Sequence, residues 1–181
     1  MPRLFTGIEI PVPIAKQLSM LRGGLPGARW IDAENYHITL RFLGDIDDTT
    51  ASEAASALAG IRRGAFDLRF DGLTSFGGRK PRAVVAETSM PQALMDLQAE
   101  QERLLRRIGL EPEVRKYIPH VTLARLRQSS SREVADYLAA RGLFRTPDFR
   151  VERFVLFSSR NSTGGGPYVV EASYPLDGAT Q

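Results

Sequence analysis

The sequence has no cysteine, only two histidines and only three lysines among its 181 residues. The absence of cysteine excludes disulfides, thiolate nucleophiles, iron–sulfur clusters and every cysteine-containing zinc site. No run of about eighteen apolar residues occurs, so we expect no membrane-spanning segment. The first residues, 1–13, lack the basic and apolar regions of a signal peptide, and we therefore expect a cytoplasmic protein.

What the chain does contain is an ordinary globular composition, with 43% hydrophobic residues, 25% charged residues and a formal net charge of +3. This length and composition fit one domain, residues 1–181, with two lobes that share a core. Arginine supplies 21 of the 24 basic residues, and its planar guanidinium suits phosphate. The simpler interpretation of most of these arginines is a GC-rich genome, and so small a net charge does not by itself predict nucleic-acid binding.

Hydrophobic periodicity predicts two successive rounds of strand, helix, strand, helix and strand. The predicted strands of the first round lie at 4–10, 37–43 and 66–76, and those of the second at 83–87, 120–126 and 149–157. A last strand is predicted at 168–176, after the glycine-rich loop at 164–166. Capping boxes at Thr50 and Ser130, together with a cap at Ser89, predict where three of the helices begin.

The two rounds are related by a constant offset of 83 residues, which maps the segment 37–43 onto 120–126 and the segment 66–75 onto 149–158. The sequence therefore predicts an α+β fold of two duplicated β-α-β-α-β units, at approximately 4–77 and 82–160. We expect the units to pack about a pseudo-two-fold axis, with mostly antiparallel sheets lining a central cleft and the helices outside.

The only two histidines occupy equivalent positions of the two units, in H-I-T-L at 37–40 and H-V-T-L at 120–123. A lone histidine in a strand is usually structural or exposed, but two at symmetry-related positions favour a shared site. Strand alternation places each histidine on the same face as the threonine two residues later, Thr39 or Thr122. The cleft is thus expected to contain two imidazoles and two hydroxyls.

Imidazole titrates near pH 6.5, so His37 and His120 can present one neutral base and one protonated acid at neutral pH. That pairing suits phosphodiester chemistry, in which one histidine deprotonates the attacking oxygen and the other protonates the leaving oxygen. The hydroxyls of Thr39 and Thr122 can hold the non-bridging oxygens as charge builds. Metal ligation is the alternative, but neither histidine has a second histidine or a carboxylate two or four residues on, and we expect no cofactor.

The motifs H-I-T-L-R-F-L-G at 37–44 and P-H-V-T-L-A-R at 119–125 resemble the paired H-x-T-L signatures of the two-histidine phosphoesterase superfamily. Within it, the chain is most similar to the bacterial and archaeal RNA 2′,3′-cyclic phosphodiesterases, also called 2′-5′ RNA ligases. The resemblance implies metal-independent opening of a terminal 2′,3′-cyclic phosphate of RNA to a 2′-phosphomonoester. It also implies that His37 protonates the departing 3′ oxygen and that His120 activates water, although position alone leaves these roles interchangeable. Reversible 2′-5′ ligation is expected as a side activity.

Three further residues are expected to bind substrate. Arg41 shares the face of His37 under strict alternation and can contact phosphate. Arg125 belongs to the second motif, but strict alternation puts it opposite His120, so its role requires a bend of the strand. Tyr168, after the glycine-rich loop, is expected to stack on a terminal base.

Other functions stay open. One is a phosphodiesterase that acts on small cyclic nucleotides or 2′-5′ linked oligonucleotides, since the strand at 83–86 lacks the tryptophan that the family often has. Another is a non-catalytic nucleotide- or RNA-binding module, which the presence of both histidines and both threonines disfavours. We expect RNA ends bearing a 2′,3′-cyclic phosphate as partners, a monomeric protein, and a Phe42 side chain that packs in the core.

Overall fold

The computed structural model describes residues 3–159 and 166–178. Its strands are β1 (Arg3–Glu9), β2 (Ala28–Trp30), β3 (His37–Asp45), β4 (Phe66–Leu68), β5 (Phe70–Phe76), β6 (Ala83–Thr88), β7 (His120–Leu126), β8 (Phe149–Val151), β9 (Arg153–Ser158) and β10 (Val169–Pro175). Its helices are α1 (Val12–Ser19), α2 (Asp48–Leu58), α3 (Gln92–Arg107) and α4 (Ser131–Arg141), with a 3₁₀ turn at Ala33–Asn35. Of the predicted features, Gly164, Gly165 and the end of the second unit at Arg160 lie outside the described residues.

Two four-stranded sheets have the strand orders β10-β9-β1-β3 and β2-β7-β6-β5. Neighbouring strands in both sheets are antiparallel. The two strands that contain the histidine motifs, β3 and β7, lie next to each other. The predicted α+β fold with antiparallel sheets is therefore confirmed, and the histidine strands meet as the repeat predicted.

Each sheet takes strands from both halves of the chain, which the repeat did not predict. Strand β9 of the second half pairs with β1, and β5 of the first half pairs with β6. The chain crosses between the sheets at β4 and β8, which pair with each other. Asp67 lies opposite Arg150 in this ribbon, and these two residues are themselves 83 positions apart. The pseudo-two-fold axis therefore passes through the ribbon, and the two sequence units are intertwined.

The helices bury apolar stripes against the sheets in one core, because leucine, isoleucine, alanine and valine recur on one face of each helix. Their fully or nearly buried residues include Ile14, Leu18, Ala54, Leu58, Leu94, Leu97, Leu105, Val134 and Tyr137. None of the helices in the described ranges is long and apolar enough to cross a membrane.

Of the three helix caps predicted from the sequence, the structure contains one. Ser130 and Glu133 form the predicted capping box of α4. The prediction at Thr50 is wrong, because Asp47 accepts a hydrogen bond from the Thr50 amide and starts α2 earlier. The prediction at Ser89 is also wrong, because its hydroxyl oxygen accepts from the amide of Arg69 while α3 begins after Pro91.

Candidate active site

The histidine strands β3 and β7 have the same burial pattern over the motif, residue by residue, because both contain a β-bulge there. In β3 the extra residue is Leu40, since consecutive residues of β1 pair with Thr39 and Arg41. In β7 the extra residue is Leu123, which β6 skips in the same way. Beyond each bulge the alternation of side chains is shifted by one residue.

This shift decides which side chains reach the cleft. Arg125 is exposed at the cleft wall, so the bulge supplies the bend that its expected role required. Phe42, its counterpart in β3, is 50% exposed and lines the same cleft, so the prediction that it packs in the core is wrong. The expectation that Arg41 shares the face of His37 is also wrong, because the bulge turns Arg41 to the buried side.

Arg41 is held by partners inside the protein. Its side chain is 7% exposed, and its Nε donates to Oε2 of Glu102 over 2.5 Å. Its Nη2 donates to the carbonyl of Glu111 over 2.6 Å, and its Nη1 donates to the carbonyl of Phe42. Arg41 touches the cavity wall, but the geometric reason for expecting a phosphate contact is lost.

The cleft between the sheets is a cavity of about 1050 Å³. Besides the wall contact of Arg41, it brings together the other six site residues predicted from the sequence. These six are His37, Thr39, His120, Thr122, Arg125 and Tyr168. Their roles in binding and catalysis remain predictions.

Both imidazoles are oriented by the carbonyl two residues before them. His37 Nδ1 lies 3.0 Å from the carbonyl oxygen of Asn35, and His120 Nδ1 lies 2.7 Å from that of Ile118. Because a carbonyl oxygen can only accept, each Nδ1 must be the protonated nitrogen. Nε2 is then the nitrogen that exchanges protons in both rings. In His37, Nε2 lies 3.1 Å from the hydroxyl oxygen of Thr39.

Burial lowers the pKa of both histidines. For His37 the pKa falls to about 4, chiefly through desolvation, with further lowering by the charges of His120 and Arg125 and partial opposition from the Asn35 carbonyl. Desolvation also lowers the pKa of His120, opposed by the hydrogen bond to the Ile118 carbonyl. In the protein without substrate, both rings are therefore neutral at neutral pH. A bound anion would favour protonation of either ring.

Aromatic rings contact both imidazoles edge-on. Tyr168 lies 4.8 Å from His37 between ring centroids at an interplanar angle of 77°, and Phe76 lies 4.8 Å from His120 at 85°. Phe5 also packs against His37, at 5.0 Å. These contacts restrict rotation of the imidazoles and contribute to their desolvation. The expected stacking of Tyr168 on a base stays a prediction.

The remaining lining residues make the cleft basic. Its basic residues are Arg3, Arg41, Arg82, Arg115, Lys116, Arg125 and Arg127. Among the described lining residues, Glu113 is the only acidic one. Such a cleft concentrates polyanions. Arg82, Arg127 and the exposed Phe42 were not predicted from the sequence as site residues. The 83-residue offset could have found Phe42, because it pairs that residue with Arg125.

Within residues 3–159 and 166–178, no group of three or more histidine, aspartate or glutamate side chains could hold a metal ion. The two histidines are accompanied in the cleft by hydroxyls and guanidinium groups instead. This set of side chains can transfer protons and stabilise anionic oxygens.

A family model described as LigT like phosphoesterase matches the chain twice, over residues 8–86 and 85–168. The chain belongs to this family. Each match contains one histidine motif, in agreement with the duplication that the 83-residue offset predicts. The resemblance to two-histidine phosphoesterases is confirmed.

Curated relatives of this LigT-like phosphoesterase are named RNA 2′,3′-cyclic phosphodiesterase. The protein of Bacillus subtilis is 33% identical over 130 residues, which cover 68% of this chain and 71% of that protein. The protein of Thermotoga maritima is 30% identical over 176 residues, covering 93% and 92%. The protein of Aeropyrum pernix is 37% identical over 111 residues, covering 60% of this chain and 62% of that protein.

Solved structures confirm the LigT-like fold. Escherichia coli LigT complexed with 3′-AMP superposes with a TM-score of 0.77 at 25% identity, covering 97% of this chain and 99% of that one. A protein of Thermus thermophilus superposes with a TM-score of 0.82 at 20% identity, covering 98% and 100%.

Proposed function

We propose that this LigT-like phosphoesterase hydrolyses the terminal 2′,3′-cyclic phosphate of RNA to a 2′-phosphomonoester. The observation on which the proposal rests is the pair of symmetry-related histidines in a basic cleft, each with Nδ1 fixed by a carbonyl and Nε2 left for proton transfer. The relatives named for this activity support the choice of substrate.

The reaction needs two proton transfers on opposite sides of phosphorus. Nε2 of His120 accepts a proton from water as the water oxygen attacks phosphorus. The bond from phosphorus to the 3′ oxygen breaks, and protonated Nε2 of His37 gives its proton to that oxygen. The products are a 3′-hydroxyl and a 2′-phosphate, and both histidines return to their starting states in exchange with solvent.

Substrate binding prepares His37 for its role. The phosphate anion offsets the charge of Arg125, which contributes to the lowered pKa of His37 in the free protein. Once Nε2 of His37 is protonated, it can no longer accept from Thr39, whose hydroxyl becomes available to a phosphate oxygen. Thr122 and Arg125 stabilise the negative charge that develops on the other non-bridging phosphate oxygen.

The proposal includes two finer points. The protein acts as a monomer, which is supported by a cleft that obtains both histidines and both threonines from one chain. It acts in the cytoplasm, which the RNA substrate and the cysteine-free sequence support. Ligation is the same ring opening with a 5′-hydroxyl in place of water as the nucleophile, and it remains a side activity.

The test uses an RNA oligonucleotide that ends in a 2′,3′-cyclic phosphate, incubated with the protein in EDTA. We expect complete conversion to the 2′-phosphate, distinguished from the 3′-phosphate by ³¹P NMR. Parallel reactions contain 2′,3′-cyclic AMP or a 2′-5′ linked dinucleotide, and faster turnover of either would favour the alternative phosphodiesterases. Tight RNA binding without turnover would leave a binding module, and a requirement for a divalent ion would overturn the metal-free reaction.

A further inference from the structure

The segment 111–119 joins α3 to β7 and contains neither helix nor strand. It nevertheless forms much of one cleft wall. The wall residues it contributes are Glu113, Arg115, Lys116, Tyr117 and Ile118. Because coil has no internal ladder of hydrogen bonds, the position of this wall must depend on contacts with other elements.

The beginning of the segment is fixed by Arg41 and Glu102. The guanidinium of Arg41 binds the Glu102 carboxylate over 2.5 Å and the Glu111 carbonyl over 2.6 Å. The second oxygen of Glu102 accepts the amide N–H of Glu113 over 3.0 Å. One buried ion pair thereby joins β3, α3 and the segment.

The end of the segment is connected to both histidine motifs. The hydroxyl of Tyr117 donates to the carbonyl of Thr39 over 2.9 Å. The carbonyl of Ile118 accepts from Nδ1 of His120 over 2.7 Å and so fixes the orientation of that ring. The segment therefore links β3 to the orientation of His120.

The ion pair of Arg41 with Glu102 has no pseudo-symmetric counterpart, because the residue 83 positions after Arg41 is Ala124. The side chains of Arg41 and Glu102 are only 7% and 16% exposed. Burying a charged pair gives little net stability compared with apolar packing, so its value is expected in the geometry that it imposes. Three of the donor groups of Arg41 are already occupied by these internal partners and the Phe42 carbonyl.

We propose that Arg41 is a positioning residue that acts through Glu102 and the segment 111–119 to orient His120. The proposal rests on the cyclic phosphodiesterase activity proposed above. It replaces the direct phosphate contact expected from strand alternation. Arg41 thus acts on the reaction without touching the substrate.

The experiment compares wild type with Arg41→Met, Arg41→Lys, Glu102→Gln and the double variant Arg41→Met/Glu102→Gln. The matched control is Arg63→Met. It removes a 2.6 Å ion pair from Arg63 to Glu100, a residue that lies on α3 as Glu102 does, and Arg63 does not line the cleft. Rates are measured on RNA ending in a 2′,3′-cyclic phosphate. The pKa of each histidine is followed by NMR, which is direct because the chain has only two.

We expect Arg41→Met and Glu102→Gln each to lower kcat by about tenfold to a hundredfold, as a misplaced catalytic group does. The double variant should be no slower than the slower single variant, because both remove one interaction. Arg41→Lys should retain an intermediate rate. The pKa of His120 should fall when the Ile118 hydrogen bond loosens, whereas Arg63→Met should leave kcat and both pKa values within error of wild type.

A raised KM with unchanged kcat and unchanged His120 titration would overturn the proposal and return Arg41 to direct substrate contact. Additive losses in the double variant would also overturn it. If Arg41→Met does not fold, as judged by circular dichroism, the Arg41→Lys and Glu102→Gln variants decide by the same readouts. A wild-type protein without hydrolysis would refute the proposed function, while the NMR titrations would still test whether Arg41 orients His120.

Discussion

Strands β3 and β7 share a motif, a bulge and a pattern of burial, yet they present different chemistry to the cleft they enclose. The bulge exposes Phe42 on β3 and Arg125 on β7. Around His37 the neighbouring rings include Phe5, Phe157 and Tyr168, so its wall is largely aromatic. The sheet that contains His120 contributes three arginines to the cleft, Arg125 in β7 and Arg82 and Arg127 beside the strand ends, although the ring that packs on His120 itself is Phe76.

Backbone geometry and side-chain chemistry were therefore duplicated to different extents. The features kept in both halves are those that aim the imidazoles, namely the carbonyl two residues before each histidine and the bulge that follows each threonine. The features that differ are the side chains around the imidazoles and along the cleft walls. Under the proposed function, we expect an asymmetric substrate to place its base on one side of such a cleft and its phosphates on the other.

The largest effect is expected from removal of either imidazole. His37→Ala and His120→Ala should each slow hydrolysis by about 10² to 10⁴, the usual effect of a positioned acid or base, while the fold is retained. A cyclic substrate with sulfur in place of the 3′ oxygen should distinguish the two roles, because a thiolate leaves without protonation. We expect it to restore the rate of His37→Ala and not that of His120→Ala.

Rescue of His120→Ala alone would reverse the assigned roles of acid and base. A properly folded variant of either histidine with the wild-type rate would contradict the paired mechanism altogether. Circular dichroism and thermal melting serve as the control for folding.

A second prediction compares Phe42 with Arg125 directly. Arg125→Ala should weaken binding of the RNA end by about 1.5–3 kcal/mol, the value of a hydrogen bond to a charged group, and should reduce the salt dependence of KM. Phe42→Ala should cost about 1–3 kcal/mol if a base stacks on it, and it should leave the salt dependence unchanged. Measuring KM at several salt concentrations separates the two walls. Equal salt slopes for both variants would show that the cleft is not divided in this way.

Loss of a threonine hydroxyl should have a smaller effect. Thr39→Val and Thr122→Val should each lower kcat or raise KM by a factor that corresponds to about 1–3 kcal/mol. The reason is that each hydroxyl is assigned to a charged phosphate oxygen. Thr39 must first leave Nε2 of His37, so its removal should cost less than that of Thr122. Steady-state kinetics of the two valine variants tests this order. Unchanged kinetics in both would leave the threonines as ordinary strand residues.

The last prediction concerns the pH profile. Because burial lowers the pKa of both histidines, both limbs of kcat/KM, which reports the free protein, should lie below about pH 6.5. The reactive form needs a neutral base and a protonated acid, so the rate falls below the lower of the two pKa values and above the higher, whichever ring each belongs to. Bound phosphate raises the pKa of the acid, and the alkaline limb of kcat should therefore lie higher than that of kcat/KM. Coincident limbs in both profiles would contradict this effect of the substrate.

Periodicity and the 83-residue offset were sufficient to predict most of the strands and the meeting of His37 with His120. They failed at Arg41 and Phe42 because the bulge residue is Leu40, an apolar residue in a largely apolar strand that gives no local signal. The offset pairs Phe42 with Arg125, so it could predict an exposed Phe42 only once Arg125 was known to face the cleft.

The exchange of β5 and β9 between the two sheets could not be predicted from the sequence, for a different reason. Periodicity reports which face of a strand is buried, but it does not report which strand lies beside it. The three-residue strand β2 was missed because so short a segment has no measurable alternation.

The ribbon of β4 and β8 also bears on how such a chain can arise and fold. A chain cut in the loop between β5 and β6 would give two fragments, each lacking a strand that the other contains. Neither fragment could complete a sheet alone, whereas two copies of one fragment could complete each other by mutual exchange. This is the topology of a domain-swapped homodimer whose two subunits have been fused into a single polypeptide.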